Sequence, residues 1–321
     1  MSNCFAQIFT KYRKAQGLTQ KEMLDFLYQQ NEVFSSLDAV TLSRWERGKT
    51  VPPMEKRLFV LSLINKVEEY FCLEATQGKY ESGLVNKTLN KRYSKVISLA
   101  AMFKTEQVQQ DYQLNFSTFN DTPKEVLGYF SNRNRFAGQI CDQINAQLGY
   151  WEDNNQIFGF FIHAPIKAEM LSILSGHIDD MMNQVKFESS PPSQCDALFL
   201  FDQINLTQEC FELSNLRLFL LLLANPQYKQ LYICIHDQMY LNLMLRLGAE
   251  VVCTYQTEEM KETGIEHSQL VVFDSLKFIS NKSVFEFFAN VYNKLNRNNP
   301  DLLKQLRESN ETRSNRFKAY C

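Results

Sequence analysis

Four histidines, eight cysteines and 36 acidic residues could carry catalysis or hold a metal in this 321-residue chain, and their spacing favours neither. His163, His177, His236 and His267 never stand in the H-x-x-x-H arrangement that places two imidazoles on one helix face. Cysteines 4, 72, 141, 195, 210, 234, 253 and 321 form no C-x-x-C pair, and several sit inside apolar runs such as Leu231–Cys234. Reduced, buried thiols are therefore expected, not a disulfide framework or a zinc site. The carboxylates of His236-Asp237 and His177-Ile-Asp179 read as turn or surface groups, and Asp179-Asp180 as a helix surface. Cys210 and Cys234 have no positioned base. No catalytic, cofactor-binding or metal-binding set is expected. The polar groups that do form a pattern are hydrogen-bond donors. Thr19 and Gln20 stand at one predicted helix start, and Ser43, Arg44, Arg47, Lys49 and Thr50 follow in a short run. A guanidinium can bond a guanine in two places at once, for about 1–3 kcal/mol, while helix N-termini and lysines hold phosphates.

Short helices must position those donors. Phe5, Ile8, Phe9 and Tyr12 fall at i, i+3, i+4 and i+7, one buried helix face, and Gly17 ends that helix. Thr19 with Glu22 forms a capping box, so a second helix is predicted from Gln20 through Leu24 and Leu27. Asp38 is the predicted N-cap of a third helix ending near Gly48, and Pro52-Pro53 opens a fourth with Leu58, Leu61 and Ile64 inward. Leu42 and Trp45 alternate with the polar face of the third helix and are assigned to the core. Residues 79–103 read as a basic helix.

From about residue 112 strands and helices alternate. Strands are predicted at Ile157–Ile162, Ala197–Phe201, Leu231–Ile235, Glu250–Tyr255 and Gln269–Phe273, with helices near Leu213–Leu223 and Met239–Leu247, the latter stopped by Gly248.

The net charge of −2 conceals an asymmetry. Residues 1–104 hold 16 basic against 10 acidic side chains, or +6, and the remainder 18 against 26, or −8. Such a split suits one end that meets an anionic partner and another that does not. No apolar run approaches the roughly 18 residues of a membrane helix. The first residues carry Asn3, Gln7 and Lys11 where a signal peptide needs apolar side chains, so a cytoplasmic protein is expected, nucleoid-associated when bound.

The stretch Lys14-Ala-Gln-Gly-Leu-Thr-Gln-Lys-Glu-Met-Leu24, followed by Val40-Thr-Leu-Ser-Arg-Trp-Glu-Arg-Gly-Lys-Thr-Val-Pro-Pro53, resembles the helix-turn-helix of the lambda repressor/Cro (XRE) family over about residues 4–70. The resemblance implies that the third helix enters the major groove, with Ala39, Val40, Ser43 and Arg44 toward base edges. It also implies a phosphate on Gln20 at the start of the second helix beside Thr19, further phosphates on Arg47, Lys49 and Thr50, and a Glu46–Arg13 pair. One departure stands out: Tyr28–Ser35 makes the connection before the recognition helix about eight residues longer than the family's usual tight turn. That insertion is expected to lengthen the second helix or to form a loop. Of the basic run Lys79, Lys87, Lys91, Arg92, Lys95 and Lys104, Lys91 and Arg92 are candidate backbone contacts, against the alternative of a solvated helix face.

The order of strands and helices across Tyr150–Phe278, with the helix exit Met244-Leu-Arg-Leu-Gly-Ala-Glu250, resembles the acetyltransferase (GNAT) fold. Active members would hold the cofactor pyrophosphate on a glycine-bearing loop at a helix N-terminus. The corresponding Asn205–Asn215 has no glycine and carries Glu209 and Glu212, so a non-catalytic domain is expected.

The expected architecture is an all-α helix-turn-helix domain at 1–70, a basic helical connector at 71–107, an α/β GNAT-like sensor or dimerisation domain at 108–300 and a polar tail at 301–321. The implied function is a transcription regulator on double-stranded operator DNA. It would act as a homodimer, with a small-molecule or protein effector at the second domain and no membrane. The alternatives are an acyl-CoA-dependent acetyltransferase fused to a DNA-binding domain, or an antitoxin-like adaptor that binds a protein.

Overall fold

The computed structural model describes residues 4–78, 80, 83–100, 113–118, 144, 146–153, 156–178, 185, 188, 190–255 and 268–308. Asp179-Asp180, His267, Lys79, Lys104, Cys141, Cys321 and the connector beyond residue 100 lie outside them.

A helical N-terminal half precedes an α/β half. The helices are α1 (Cys4–Ala15), α2 (Gln20–Gln30), α3 (Ala39–Glu46), α4 (Met54–Leu63), α5 (Val67–Gln77) and α6 (Leu84–Ala100). Local chemistry sets their ends. The hydroxyl of Thr19 accepts the N–H of Glu22 at 3.2 Å while the Glu22 carboxylate accepts the N–H of Thr19 at 2.7 Å, the reciprocal box the sequence announces. Asp38 accepts the N–H of Thr41 at 2.5 Å and starts α3. Gly17 and Gly48 adopt φ of 68° and 65°, the left-handed exit that lets the chain turn after α1 and α3 without a Cβ clash.

The second half comprises β1 (Gln113–Thr118), β2 (Gln147–Asp153), β3 (Gln156–Ile166), the single turn α7 (Glu169–Ser172), β4 (Gly176–Ile178), β5 (Ala197–Asn205), α8 (Gln208–Ala224), β6 (Gln230–Ile235), α9 (Gln238–Arg246), β7 (Glu250–Tyr255), β8 (Ser268–Asp274), α10 (Ser275–Ser280), α11 (Lys282–Asn298) and α12 (Pro300–Glu308). Among the described residues eight strands form one sheet in the order β1-β2-β3-β5-β6-β8-β7-β4. β5 and β6 run parallel, as do β4 and β7, and the other neighbours are antiparallel.

Alternation along the strands splits the core. Leu198, Leu200, Leu231 and Ile233 face the helices, while Phe199, Phe201, Tyr232 and Cys234 join Ile144, Leu171 and Leu174 on the other face. α8 lies across the helical side with apolar residues on every face, which is why it is the central core helix. Its one buried cation, Arg217, donates to the Leu306 carbonyl at 2.7 Å and lies over the Phe116 ring, and burial pushes its guanidinium down to about 9.

The helices of the two halves share one core. Phe71 on α5 meets Phe219 of α8 and Phe285 and Tyr292 of α11 at ring distances of 5.1–5.5 Å. α4 rests on α10, and Arg307 reaches Glu68 at 2.9 Å. This corrects two sequence boundaries. The expected end of the first domain at residue 70 falls inside α5, whose Tyr70 and Phe71 are buried against the second half. The expected polar tail is helical through Glu308, because Pro300 opens α12 and Leu303 and Leu306 recur on one face against α8 and β1. Residues 309–321 lie outside the described residues.

A shared core makes unfolding common to both halves, and the two tryptophans report on one half each: Trp45 on α3 and Trp151 on β2. In urea, within each of the Trp45→Phe and Trp151→Phe variants, the fluorescence of the remaining tryptophan and the far-UV circular dichroism should show coincident midpoints. Phe71→Ala should lower both by an equivalent of about 3–5 kcal/mol. Separate transitions would contradict the shared core.

Candidate nucleic-acid interface

The donors singled out in the sequence lie on α2, α3 and the turn after α3, and a carboxylate at the end of α3 holds those elements together. Glu46 accepts the Nε of Arg13, a second bond from Arg13 Nη2 at 3.0 Å, and one from Gln20 Nε2 at 2.6 Å. Arg13 also donates to the Leu18 carbonyl at 2.6 Å, and Thr10 donates to the Glu46 carbonyl oxygen at 3.3 Å. The bonded carboxylate raises the Arg13 pKa above its ordinary value. α1, α2 and α3 are thus tied at one point, with the carboxylate side chain only 5% exposed. Phe5, stacked on Phe9 and edge-on to Trp45, fills the space beneath.

α3 consequently presents one face outward. Leu42 and Trp45 are buried, as their spacing predicts. Ala39, Val40 and Arg44 are exposed, with Ser43 half-buried between them, and Arg47, Lys49 and Thr50 continue the exposed strip. Gln20 lies beside this strip, with one amide hydrogen committed to Glu46 and the other uncommitted by that bond. The Thr19 hydroxyl is consumed by the capping box, so its part at the surface is to fix the helix end. The box leaves the backbone N–H groups of Gln20 and Lys21 as the open donors of the first turn, where the helix dipole favours an anion. Burial-free hydrogen bonding holds the carboxylates of Glu22 and Asp38 below their ordinary range, so both caps are ionised at neutral pH.

The insertion resolves into both expected forms. α2 continues to Gln30, and a 3₁₀ turn at Glu32–Phe34 follows. Phe34 stacks on Phe59 of α4 at 5.5 Å, Tyr28 donates to the Leu37 carbonyl, and Lys56 donates to the Val33 carbonyl at 3.2 Å. With Asp38 capping α3, Ala39 is the first residue of the exposed face.

Lys91 and Arg92 do not join this surface as a pair. Lys91 is exposed on α6. Arg92 turns toward the α/β half, 3.8 Å from Asp237 and over the rings of Tyr93 and Tyr240. A carboxylate at the start of α9 and two aromatic faces hold the guanidinium there, so Arg92 is withdrawn from the expected role of phosphate contact.

Parallel pairing of β5 with β6 covers only Ala197–Leu200 against Gln230–Ile233, and beyond it lies the place where α/β proteins commonly admit a ligand. Here side chains of the chain itself occupy that place. Gln203 donates to the Tyr240 hydroxyl at 3.0 Å and accepts from Asn215 at 3.2 Å. Trp151 donates to Ser214 at 2.9 Å, and Ser214 to Asn205 at 3.2 Å. Tyr93 of α6 closes over them, its hydroxyl donating to the Asn205 carbonyl at 3.3 Å. Thr207 caps α8 by accepting the N–H of Cys210 at 3.1 Å, and burial raises the pKa of Glu212 in the next turn. On the opposite side of the sheet His236 lies between Asp202, at 3.6 Å, and the hydroxyl of Ser268. Sequence reasoning missed this Asp–His–Ser series because its members come from three separate strands and strand ends. Ser268 is 1% exposed, so its oxygen is closed to a substrate carbonyl in this conformation.

No protein-family model, curated protein or solved structure matches the chain. Among the described residues no helix is long and apolar enough to cross a membrane, and no three His, Cys, Asp or Glu side chains are grouped to hold a metal ion.

The Glu46 junction generates a direct test. Glu46→Gln removes the charge that Arg13 faces, and should lower stability by about 1–3 kcal/mol in urea titrations read at the adjacent Trp45. An unchanged midpoint would show that the junction does not hold the three helices.

Proposed function

We propose that the chain is a sequence-specific transcription regulator of the lambda repressor/Cro (XRE) type, acting in the cytoplasm on double-stranded operator DNA. The observation that carries this reading is the α2–α3 unit: a helix with Ala39, Val40, Ser43 and Arg44 turned outward, braced by Glu46 against a second helix whose N-terminus is open to an anion. Helix α3 has the dimensions to enter a major groove, where Arg44 would read guanine and the Val40 side chain would meet a thymine methyl. Arg47, Lys49 and the first turn of α2 would hold phosphates. The +6 balance of residues 1–104 supports the same end of the molecule, and the −8 of the rest keeps the α/β half off the duplex.

One α3 reads a half-site only. A homodimer that sets two copies about 34 Å apart would read a palindrome. The α/β half supplies the dimer contact or answers a small-molecule or protein effector. Its run of β2, β3, β5, α8, β6, α9, β7 and β8 supports the acetyltransferase resemblance, interrupted by the α7–β4 excursion. The filled place beyond the β5–β6 pairing, together with the Thr207 cap and Glu212 at the start of α8, supports a domain that transfers no acyl group.

Arg44→Ala, at an exposed position, should leave the thermal midpoint within a few degrees of the parent and remove discrimination between operator and random duplex in footprinting, a loss of about 5–150-fold. Retained discrimination would remove Arg44, and the orientation of α3, from the account.

A further inference from the structure

An open groove of about 490 Å³ runs between α1 and the end of α3, walled by Thr10, Lys11 and Lys14 on one side and Glu46, Arg47 and Gly48 on the other. Its unpaired charges are of one sign. The Glu46 carboxylate is already engaged by Arg13 and Gln20. Lys11, Lys14 and Arg47 are exposed, and among the described residues none of the three forms an ion pair with a carboxylate. Three cations that line one groove without counter-charge repel, and the acidic side chain that lines it with them is turned to other partners. The groove also adjoins the proposed anion site at the start of α2, because Gln20, the first residue of α2, bonds the same carboxylate that lines it. An open groove whose free charges are all positive fits an extended polyanion better than a compact anion, which would need an enclosing cradle.

We propose that this groove seats the sugar–phosphate backbone of the duplex that α3 reads, with Lys11 and Lys14 gripping phosphates next to the one at the start of α2. The inference rests on the DNA-binding reading and adds to it: α1, which carries no base-reading residue, becomes a backbone clamp, and Arg47 bridges the two surfaces. Lys11 and Lys14 then add affinity without adding sequence preference.

The test is the salt dependence of binding to a mixed-sequence 24-base-pair duplex, measured with the full chain by fluorescence anisotropy. Each phosphate contact contributes about 0.9 to the slope of log K against log salt. Lys11→Gln/Lys14→Gln should therefore flatten the slope by about 1.8, while Lys229→Gln/Lys282→Gln, which removes equal charge from the α/β half, should leave it unchanged. Binding by the Lys11→Gln/Lys14→Gln variant with the parental slope, or equal flattening by the α/β control, overturns the groove and leaves the α3 reading standing. A parental chain that fails to bind the duplex at all overturns both.

Discussion

A carboxylate withdrawn from water has to be supplied with donors, and at Glu46 those donors come from two other helices. Arg13 closes α1 onto it and Gln20 closes α2 onto it, so the last turn of α3 cannot shift without breaking bonds on both sides. The orientation of the outward face of α3 depends on that junction. So does the placement of the α2 N-terminus beside it, since the same oxygen of Glu46 accepts from Arg13 and from Gln20. Apolar packing beneath, through Phe5, Phe9, Leu42 and Trp45, gives the unit its stability but little direction. The ionic bonds supply the direction.

The unit does not float on a tether. α5 carries Tyr70 and Phe71 into the aromatic cluster of α8 and α11, α4 rests on α10, and Arg307 of α12 ties back to Glu68. A change in the packing of α8, α10 or α11 therefore reaches α4 and α5 through direct contact. α6 is placed to take part in the same coupling, because Tyr93 and Arg92 close over Asn205, Tyr240 and Asp237 where β5 and β6 cease to pair. In the proposed regulator this contact path would link an effector in the α/β half to the spacing of two recognition helices.

What was legible in the sequence was what is decided within a few residues. The Thr19–Glu22 box, the Asp38 cap, the glycine exits at 17 and 48 and the strand at Glu250–Tyr255 each follow from local backbone chemistry or alternation. The burial of Leu42 and Trp45 follows from helical spacing. Partners distant in the chain were not legible from pattern. Arg92 looks like part of a solvated basic face until Asp237 and Tyr240, some 145 residues on, are brought beside it. α12 looks polar because its apolar face is only Leu302, Leu303 and Leu306, and its burial depends on α8 and β1. The Asp202–His236–Ser268 series has no local signature at all. The Arg13–Glu46 pair was indicated by family resemblance, and the participation of Gln20 in it was not.

The central claim is that α3 reads DNA as one of a two-fold pair, and selection of duplexes by the full chain from a random-sequence pool, followed by sequencing, tests it most directly. The account predicts enrichment of an inverted repeat whose half-sites are centred about one helical turn, or a whole multiple of it, apart, with guanine at the position Arg44 reaches. A pool that emerges without enrichment, at salt low enough for non-specific binding to be seen, would contradict it.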